Sequence, residues 1–500
     1  MLPLCDGEPR PYLGRSRAVK TEREVSRGHS SPVSGGTKGR TGQESPDHGS
    51  DVHADHAGRR GGDESRPDGK HGANPERSMM ERIVAPENLQ AAWRRVKANA
   101  GAPGIDGMTV EAFPAFCRQH WPRIRSQLME GSYRPAPVRR VFIPKPDGTE
   151  RPLGVPTVLD RVIQQAVAQV LGPLFEGGFS THSYGFRENR NAHQAVRAVE
   201  EGWKEGRRYG IDCDLKSFFD TVPHDRLMRQ VRRKVADGKV LGLIRRFLTV
   251  GVELPDGRRE ATPLGVPQGG PLSPLLANIA LDPLDKELER RGHRFARYAD
   301  DFLVMVRSAK AAQRVLGSLV RFVEGTLQLV VNRAKSKAAP LSQCAFLGFQ
   351  IGRRGRVVWS AKARARFTCR VREITRRNRG HAVRDVIDEL RRYVTGWIQY
   401  FQLSHTYTDA AELAEWIRRR VRLYYWKSWK QPRTRRRHLL ALGIPPDEVK
   451  MATRSRKGYW RMSGNSLLQR ALTNHRLHEQ GVPDLRTLWI ELHYGPLARV

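Results

Sequence analysis

The sequence has no apolar stretch of bilayer-spanning length and no hydrophobic segment behind Met1 of the kind that directs secretion. Membrane and secreted classes are set aside, and a soluble protein of the cytoplasm, with no membrane partner, is expected. Five cysteines (Cys5, Cys117, Cys213, Cys344 and Cys369) lie scattered singly. They lack the close pairs that structural zinc or a disulfide framework uses, so a reducing compartment fits and cysteine-stabilised nuclease modules drop out. Acidic residues are few beside basic ones, 52 against 88, and the formal net charge is +36. Such an excess attracts a polyanion at long range, and with the membrane set aside that polyanion is nucleic acid.

The first 78 positions also lack core-forming residues: Tyr12 is their only aromatic, and no isoleucine precedes Ile83. Such a segment cannot offset its ordering entropy by burial, so residues 1–78 are expected to form a disordered tail. Leu89, Ala92, Trp93 and Val96 then recur at helical spacing, and a folded domain begins near Met79. Gly101 to Gly107 is a glycine-rich loop able to approach a phosphate chain, although a tight turn between helices explains it equally well. Val141 to Val155 reads as a hairpin around Pro146-Asp147-Gly148, with Lys145 and Arg151 on opposite arms. Long cations there could fold over a triphosphate, while two solvated surface charges are the simpler reading. A helix follows Thr157 through Val162, Ile163, Ala166, Val167, Val170 and Leu171, and a polar link from Ser183 to Arg190 leads to another near Ala192 to Ala198.

Acids then appear where burial is expected. Tyr209 to Leu215 alternates as a strand, with Asp212 and Asp214 on the face opposite Ile211, Cys213 and Leu215. Tyr298-Ala299-Asp300-Asp301 precedes an apolar run from Phe302 to Val306, which puts two more carboxylates at a hairpin tip. Carboxylates on apolar strands need a cation or strong hydrogen bonds. Two divalent cations bridged by such acids activate a primer hydroxyl and steady a leaving pyrophosphate, and hard oxygen donors suit Mg²⁺. An ordinary aspartate-rich turn is the bland alternative at 300–301. Aromatic walls at Phe218, Phe219 and Tyr298 argue against it, whereas Asp212 sits one strand step early and suits a salt bridge or hydrogen bond. Between the acid sites, Gly265 to Pro274 leads into a helix started by Ser273 and Pro274, which Pro283 should end or kink.

The order of these segments resembles the reverse transcriptases of group II introns from about Met79 to the C-terminus. The resemblance rests on Tyr298-Ala299-Asp300-Asp301, on Asp214-Leu215-Lys216-Ser217-Phe218-Phe219-Asp220 and on Gln268-Gly269-Gly270-Pro271-Leu272-Ser273-Pro274. It implies an α+β right-hand polymerase over residues 79–358, fingers and palm with an antiparallel sheet, then an α-helical thumb and maturase region over 359–500. By the resemblance Asp214, Asp300 and Asp301 are catalytic acids binding two Mg²⁺ ions. Phe219 is the gate against a ribose 2′ hydroxyl, and Lys145, Arg151, Gln268 and a lysine of the pair Lys335 and Lys337 contact the deoxynucleoside triphosphate. Gly348, in Phe346-Leu347-Gly348-Phe349, belongs to a primer grip, and Gly104 and Gly107 to an insertion facing template RNA.

Beyond Ser360 the chain reads as basic helices with interleaved aromatics, from Trp397 past Trp416 and Trp426 to Arg437. Arginine among aromatics combines phosphate neutralisation with stacking, and the resemblance assigns RNA contacts to Arg418, Arg419, Arg420 and Lys427. The tryptophans read better as core anchors. The implied partners are intron RNA as template, a DNA or RNA primer, and target DNA. No His-Asn-His or cysteine-paired endonuclease follows. Retron-like enzymes, a splicing factor with a decayed polymerase, and a basic chromatin-like protein are the alternatives. The long basic helical region, the intact acids and the buried-looking carboxylates argue against each in turn.

Overall fold

The computed structural model describes residues 78–144 and 150–495. The expected tail therefore lies outside the described residues up to Arg77, as do Lys145 and the Pro146-Asp147-Gly148 turn. Among the described residues the strands are β1 (Val138–Pro144), β2 (Glu150–Val155), β3 (Tyr209–Asp212), β4 (Val252–Glu253), β5 (Arg259–Glu260), β6 (Arg294–Tyr298), β7 (Asp301–Val306), β8 (Lys337–Pro340), β9 (Ala345–Phe346), β10 (Phe349–Ile351) and β11 (Val357–Trp359). They form three sheets with orders β2-β1-β4-β5, β6-β7-β3-β8 and β11-β10-β9, and long helices surround and follow them. This is the α+β architecture expected of a reverse transcriptase.

The second sheet is antiparallel throughout and works as the palm. Because side chains alternate along a strand, it feeds two cores at once. Ile211, Phe295, Phe302, Val304 and Val306 pack into one cluster, with the N-terminal helices and the helix Ser273–Arg290. Ala296, Leu303 and Met305 face the other, which continues through Phe346 and Trp359 into the C-terminal helices. A boundary after residue 358 falls inside β11, and the core runs across it: the Trp359 indole N–H donates to the Phe401 carbonyl at 3.0 Å.

Local chemistry fixes the helix starts. The Thr157 hydroxyl caps Val158–Glu176, the Asn191 and Gln194 side chains close a capping box on Ala192–Lys204, and Ser360 caps Ala361–Ile374. Two expectations shift. Ser273 is the first residue of its helix and has no capping bond, for its hydroxyl donates to the Pro267 carbonyl at 2.6 Å and ties the helix to the glutamine loop. The same helix does not end at Pro283 but runs on to Arg290, since Leu284 and Leu288 beyond it are fully buried and their packing outweighs one lost backbone bond.

Candidate active site

The catalytic hairpin is tight. The β6–β7 ladder pairs Tyr298 with Asp301, leaving Ala299 and Asp300 as a two-residue turn. Ala299 takes φ 60°, the left-handed region that costs an ordinary residue roughly 1–2 kcal/mol. Antiparallel β3 pairs Ile211 with Val304 and Asp212 with Leu303, where the ladder ends, and the chain runs on to Asp214 at the end of the sheet that carries Asp301. The extension past Asp212 is held by the loop before β8: the Asp214 amide donates to the Ser336 hydroxyl at 3.0 Å, and its carbonyl accepts from the Asn332 amide at 2.8 Å. Acids some 86 positions apart in sequence therefore meet at one end of the palm sheet. Asp212, one step back, lies opposite Lys337 of β8.

Burial pushes the Asp300 carboxyl above the usual carboxylate range, and the negative charge of Asp214 adds to this; the Arg151 and Arg297 guanidinium groups pull the other way. That mutual effect is the electrostatic signature of convergence. Among the described residues no three His, Cys, Asp or Glu side chains are drawn together into a ready-made ion cage. Hard carboxylate oxygens repelling one another at an apolar sheet edge are a donor set that a divalent cation fits.

β2 and the Gly265–Pro274 loop are locked together. Arg151 donates from Nε to Gln268 Oε1 at 3.0 Å, and the Gly154 amide donates to the Gln268 carbonyl at 2.7 Å. Gly269, at φ 119°, rests on the Gly154 carbonyl so closely that a Cβ would collide with it. Half-buried Phe219 is fixed through its own backbone, its carbonyl accepting from the Val266 amide at 2.6 Å. Arg151, Gln268, Phe219 and the acids are thus linked through bonded backbone and shared charge.

Residues 143–351 match the family model described as reverse transcriptase (RNA-dependent DNA polymerase), and residues 364–443 match the group II intron maturase-specific domain. Protein YkfC of Escherichia coli (strain K12) is 34% identical over 318 residues, covering 55% of this chain and 83% of that protein. The chain belongs to the group II intron reverse transcriptases. With the family comes the enzyme class, RNA-directed DNA polymerase. The group II intron-encoded protein LtrA of Lactococcus lactis subsp. cremoris is 29% identical over 352 residues, 57% of this chain and 58% of that one, so the chain spans somewhat over half of LtrA. Among solved structures, a chain of a partial Cas6-RT-Cas1–Cas2 complex aligns at 25% identity with a TM-score of 0.34, covering 50% of this chain and 43% of that chain. Among the described residues no helix is long and apolar enough to cross a membrane.

In this reverse transcriptase the Leu347-Gly348 turn packs against the helix Val383–Tyr400 and Phe401. Leu347 and Gly348 both take positive φ, and a Cβ on Gly348 would press 3.0 Å from the Phe401 ring. The Tyr400 hydroxyl donates to the Leu347 carbonyl at 3.0 Å, and His193 Nε2 lies 2.6 Å from the Tyr400 carbonyl. Burial raises the Tyr400 hydroxyl, and the nearby charges of Tyr298 and Asp301 raise it further, so this thumb residue sits close to the acids. Of the two lysines, Lys337 gives its ammonium to the Gln343 carbonyl at 3.0 Å. Lys335 is exposed, in the turn whose Asn332 amide holds Asp214.

The remaining nucleic-acid candidates separate by environment. Gly104 is buried against the Thr157 backbone, where a Cβ would come within 2.7 Å of Thr157 Cα, while Gly107 at φ 66° is exposed with open space around it. Arg418 is committed to Asp484 at 3.0 Å, and Arg420 to the Thr375 hydroxyl at 2.9 Å and to the Arg372 and Thr375 carbonyls. Both act as ties between helices. Arg419 donates to the Trp460 carbonyl at 3.2 Å and lies 4.0 Å from the ring centre of Trp460, itself 41% exposed, and Lys427 shares the Tyr459 ring with Arg377 and Arg435. Trp426 is buried, and Trp397 packs tilted against Phe367 with ring centres 4.4 Å apart, as core anchors do. Sequence reasoning passed over Ser336, Tyr400 and Gly185, whose importance lies in contacts between segments distant in the chain. Sequence position beside a motif was the one available signal.

Proposed function

We propose that this cleft copies intron RNA into DNA and that the helical region, residues 359–500, binds the same RNA and assists its splicing and mobility. The fingers and palm over 79–358 then form the catalytic unit, working in the prokaryotic cytoplasm on intron RNA template, DNA or RNA primer, deoxynucleoside triphosphates and target DNA. Asp214, Asp300 and Asp301 would hold two Mg²⁺ ions, which when bound supply charge neutralisation and an activated primer hydroxyl. Arg151 and Gln268, bonded to one another, would orient the triphosphate together with Lys145 and Lys335. Phe219 would exclude a 2′ hydroxyl by bulk. The Leu347-Gly348 turn, free of a Cβ at its tip, would seat the primer backbone, and Gly104 and Gly107 would border the template. Arg419 and Lys427 keep their charge over aromatic rings, with no described carboxylate paired to either, which suits phosphate contact and stacking.

The observation that carries this reading is the meeting of Asp214 with the Asp300 turn at one end of the palm sheet. Primer extension on an RNA template with Mg²⁺ tests it. Asp214→Asn and Asp300→Asn should each lower extension by at least about 10³-fold, the scale of a lost electrostatic anchor for the reacting charge, with RNA affinity unchanged. Extension indifferent to both substitutions would end the assignment.

A further inference from the structure

Beneath the catalytic turn lies an ion pair wholly withdrawn from water. Arg297 of β6 and Asp285 of the helix Ser273–Arg290 are each 0% exposed, joined by Nε to Oδ1 at 2.7 Å and Nη2 to Oδ2 at 2.5 Å. The remaining corner of the guanidinium, Nη1, donates to Asn278 Oδ1 at 3.0 Å and to the Ala299 carbonyl at 2.9 Å. Asn278 is buried too, and its Nδ2 donates to the Gly185 carbonyl at 2.9 Å. Gly185 in turn lies against the Ala299 amide. Asn278 and Asp285 stand seven residues apart on one helix face, aimed at the same point under the hairpin.

A fully desolvated ion pair is a poor way to stabilise a fold, since an apolar pair of similar volume often serves as well or better. What a forked, planar guanidinium offers that an apolar side chain cannot is direction. Here it points at the carbonyl of Ala299, the residue held in the left-handed region, one position before Asp300. Asn278 relays the same fixation to Gly185 on the amide side, so the turn is gripped from both ends.

We propose that Arg297, with Asp285 and Asn278, is the positioning unit of the catalytic turn, holding the Ala299 peptide so that Asp300 and Asp301 present their carboxylates to the metal ions. The inference rests on the polymerase reading of this cleft. These residues touch no reacting atom; they act through Ala299. Lysine at 297 keeps the charge and loses the fork, and asparagine at 285 keeps the shape and loses the charge.

The test measures thermal stability, RNA affinity, and kcat, KM and Mg²⁺ half-saturation for single-nucleotide extension in the full chain. Arg297→Lys and Asp285→Asn should lower kcat by about 10²-fold, the effect of roughly 1 Å of misplacement, with KM for the nucleotide within about twofold, RNA affinity unchanged and Mg²⁺ half-saturation raised. If either variant fails to fold, Asn278→Ala decides, because it leaves the Arg297–Asp285 pair whole and removes both the link to Gly185 and one bond to Arg297; about tenfold lower kcat is expected there, the lower end of what losing these fixed hydrogen bonds does. Folded variants that keep kcat and the Mg²⁺ requirement of the unaltered protein overturn the inference, as does a loss of rate that merely follows the unfolded fraction. Asp300→Asn run in parallel separates the two claims. Activity surviving Asp300→Asn refutes the polymerase reading, whereas its loss there beside intact activity in the 297, 285 and 278 variants refutes the positioning role alone.

Discussion

Replacing Gly185 by alanine asks how much displacement the catalytic turn tolerates. A Cβ at 185 would stand 2.9 Å from the Tyr298 carbonyl carbon and 3.2 Å from Ala299 Cα, and closer still to the Ala299 nitrogen. All are backbone atoms, so no side-chain rotation relieves the overlap. Comfortable carbon contacts begin near about 3.5 Å, which requires movement on the order of 1 Å once the amide is included. The segment bearing Gly185 is itself anchored: Asn278 holds its carbonyl, and neighbouring Arg187 is bonded to Glu176 and to the Ser180 and Ser183 carbonyls. Part of the shift must therefore fall on the turn. Misplacement of that size lowers a chemical step by about 10²-fold, which corresponds to ~2.7 kcal/mol at 1.36 kcal/mol per decade. Stability should fall by about 1–3 kcal/mol, as for other overpacked sites. Single-turnover incorporation on an RNA template reads the rate, and Gly172→Ala, where a Cβ meets nothing within 4 Å, is the control. A folded Gly185→Ala protein that extends primers within threefold of the control would show that the contact does not position the acids.

Two further outcomes follow from groups outside the cleft. Burial lifts the Asp160 carboxyl to about 6, against hydrogen bonds from Thr157, Tyr133 and the Ala136 amide that pull it down. A raised folded value means the stabilising contribution is complete below about pH 4 and is lost as pH rises through 6, a change of up to ~3 kcal/mol. Melting curves of the protein and of Asp160→Asn should thus diverge in slope between pH 4 and 6, and parallel curves would contradict this. In the thumb, Arg419→Ala should weaken RNA binding and reduce the slope of log affinity against log salt by about 0.7–0.9, one phosphate contact's worth. Arg420→Ala should leave that slope alone and lower stability by about 1–3 kcal/mol, because it strips donors from the Thr375 and Arg372 acceptors. The reverse pattern in salt titrations would exchange the roles given to the two arginines.

The acids were legible because their signal is local. Alternation over Tyr209–Leu215 and an acid pair before an apolar strand are patterns of two to seven residues, and strand geometry turns them into a shared face. The helical spacing near Val162, in the helix that follows Thr157, was readable for the same reason, whereas the cap expected at Ser273 was not formed. Of the two outcomes expected at Pro283, ending the helix does not occur, because propensity is a weak local preference that the burial of Leu284 and Leu288 overrides. The three consecutive arginines at 418–420 look alike in sequence and differ in space: a helix turns each by about 100°, so one meets Asp484, one Trp460 and one Thr375.

Composition by itself pointed to a polyanion binder, and the motifs' resemblance to group II intron reverse transcriptases implied a polymerase with three catalytic aspartates and a basic helical region after residue 358. The tertiary structure decided which charges are spent inside the protein and which remain for ligands, and it exposed Arg297, Asp285, Asn278 and Gly185 as the support of the catalytic turn. Desolvation and hydrogen-bond direction depend on what surrounds a side chain, and for these residues the surroundings come from segments up to about 110 positions away.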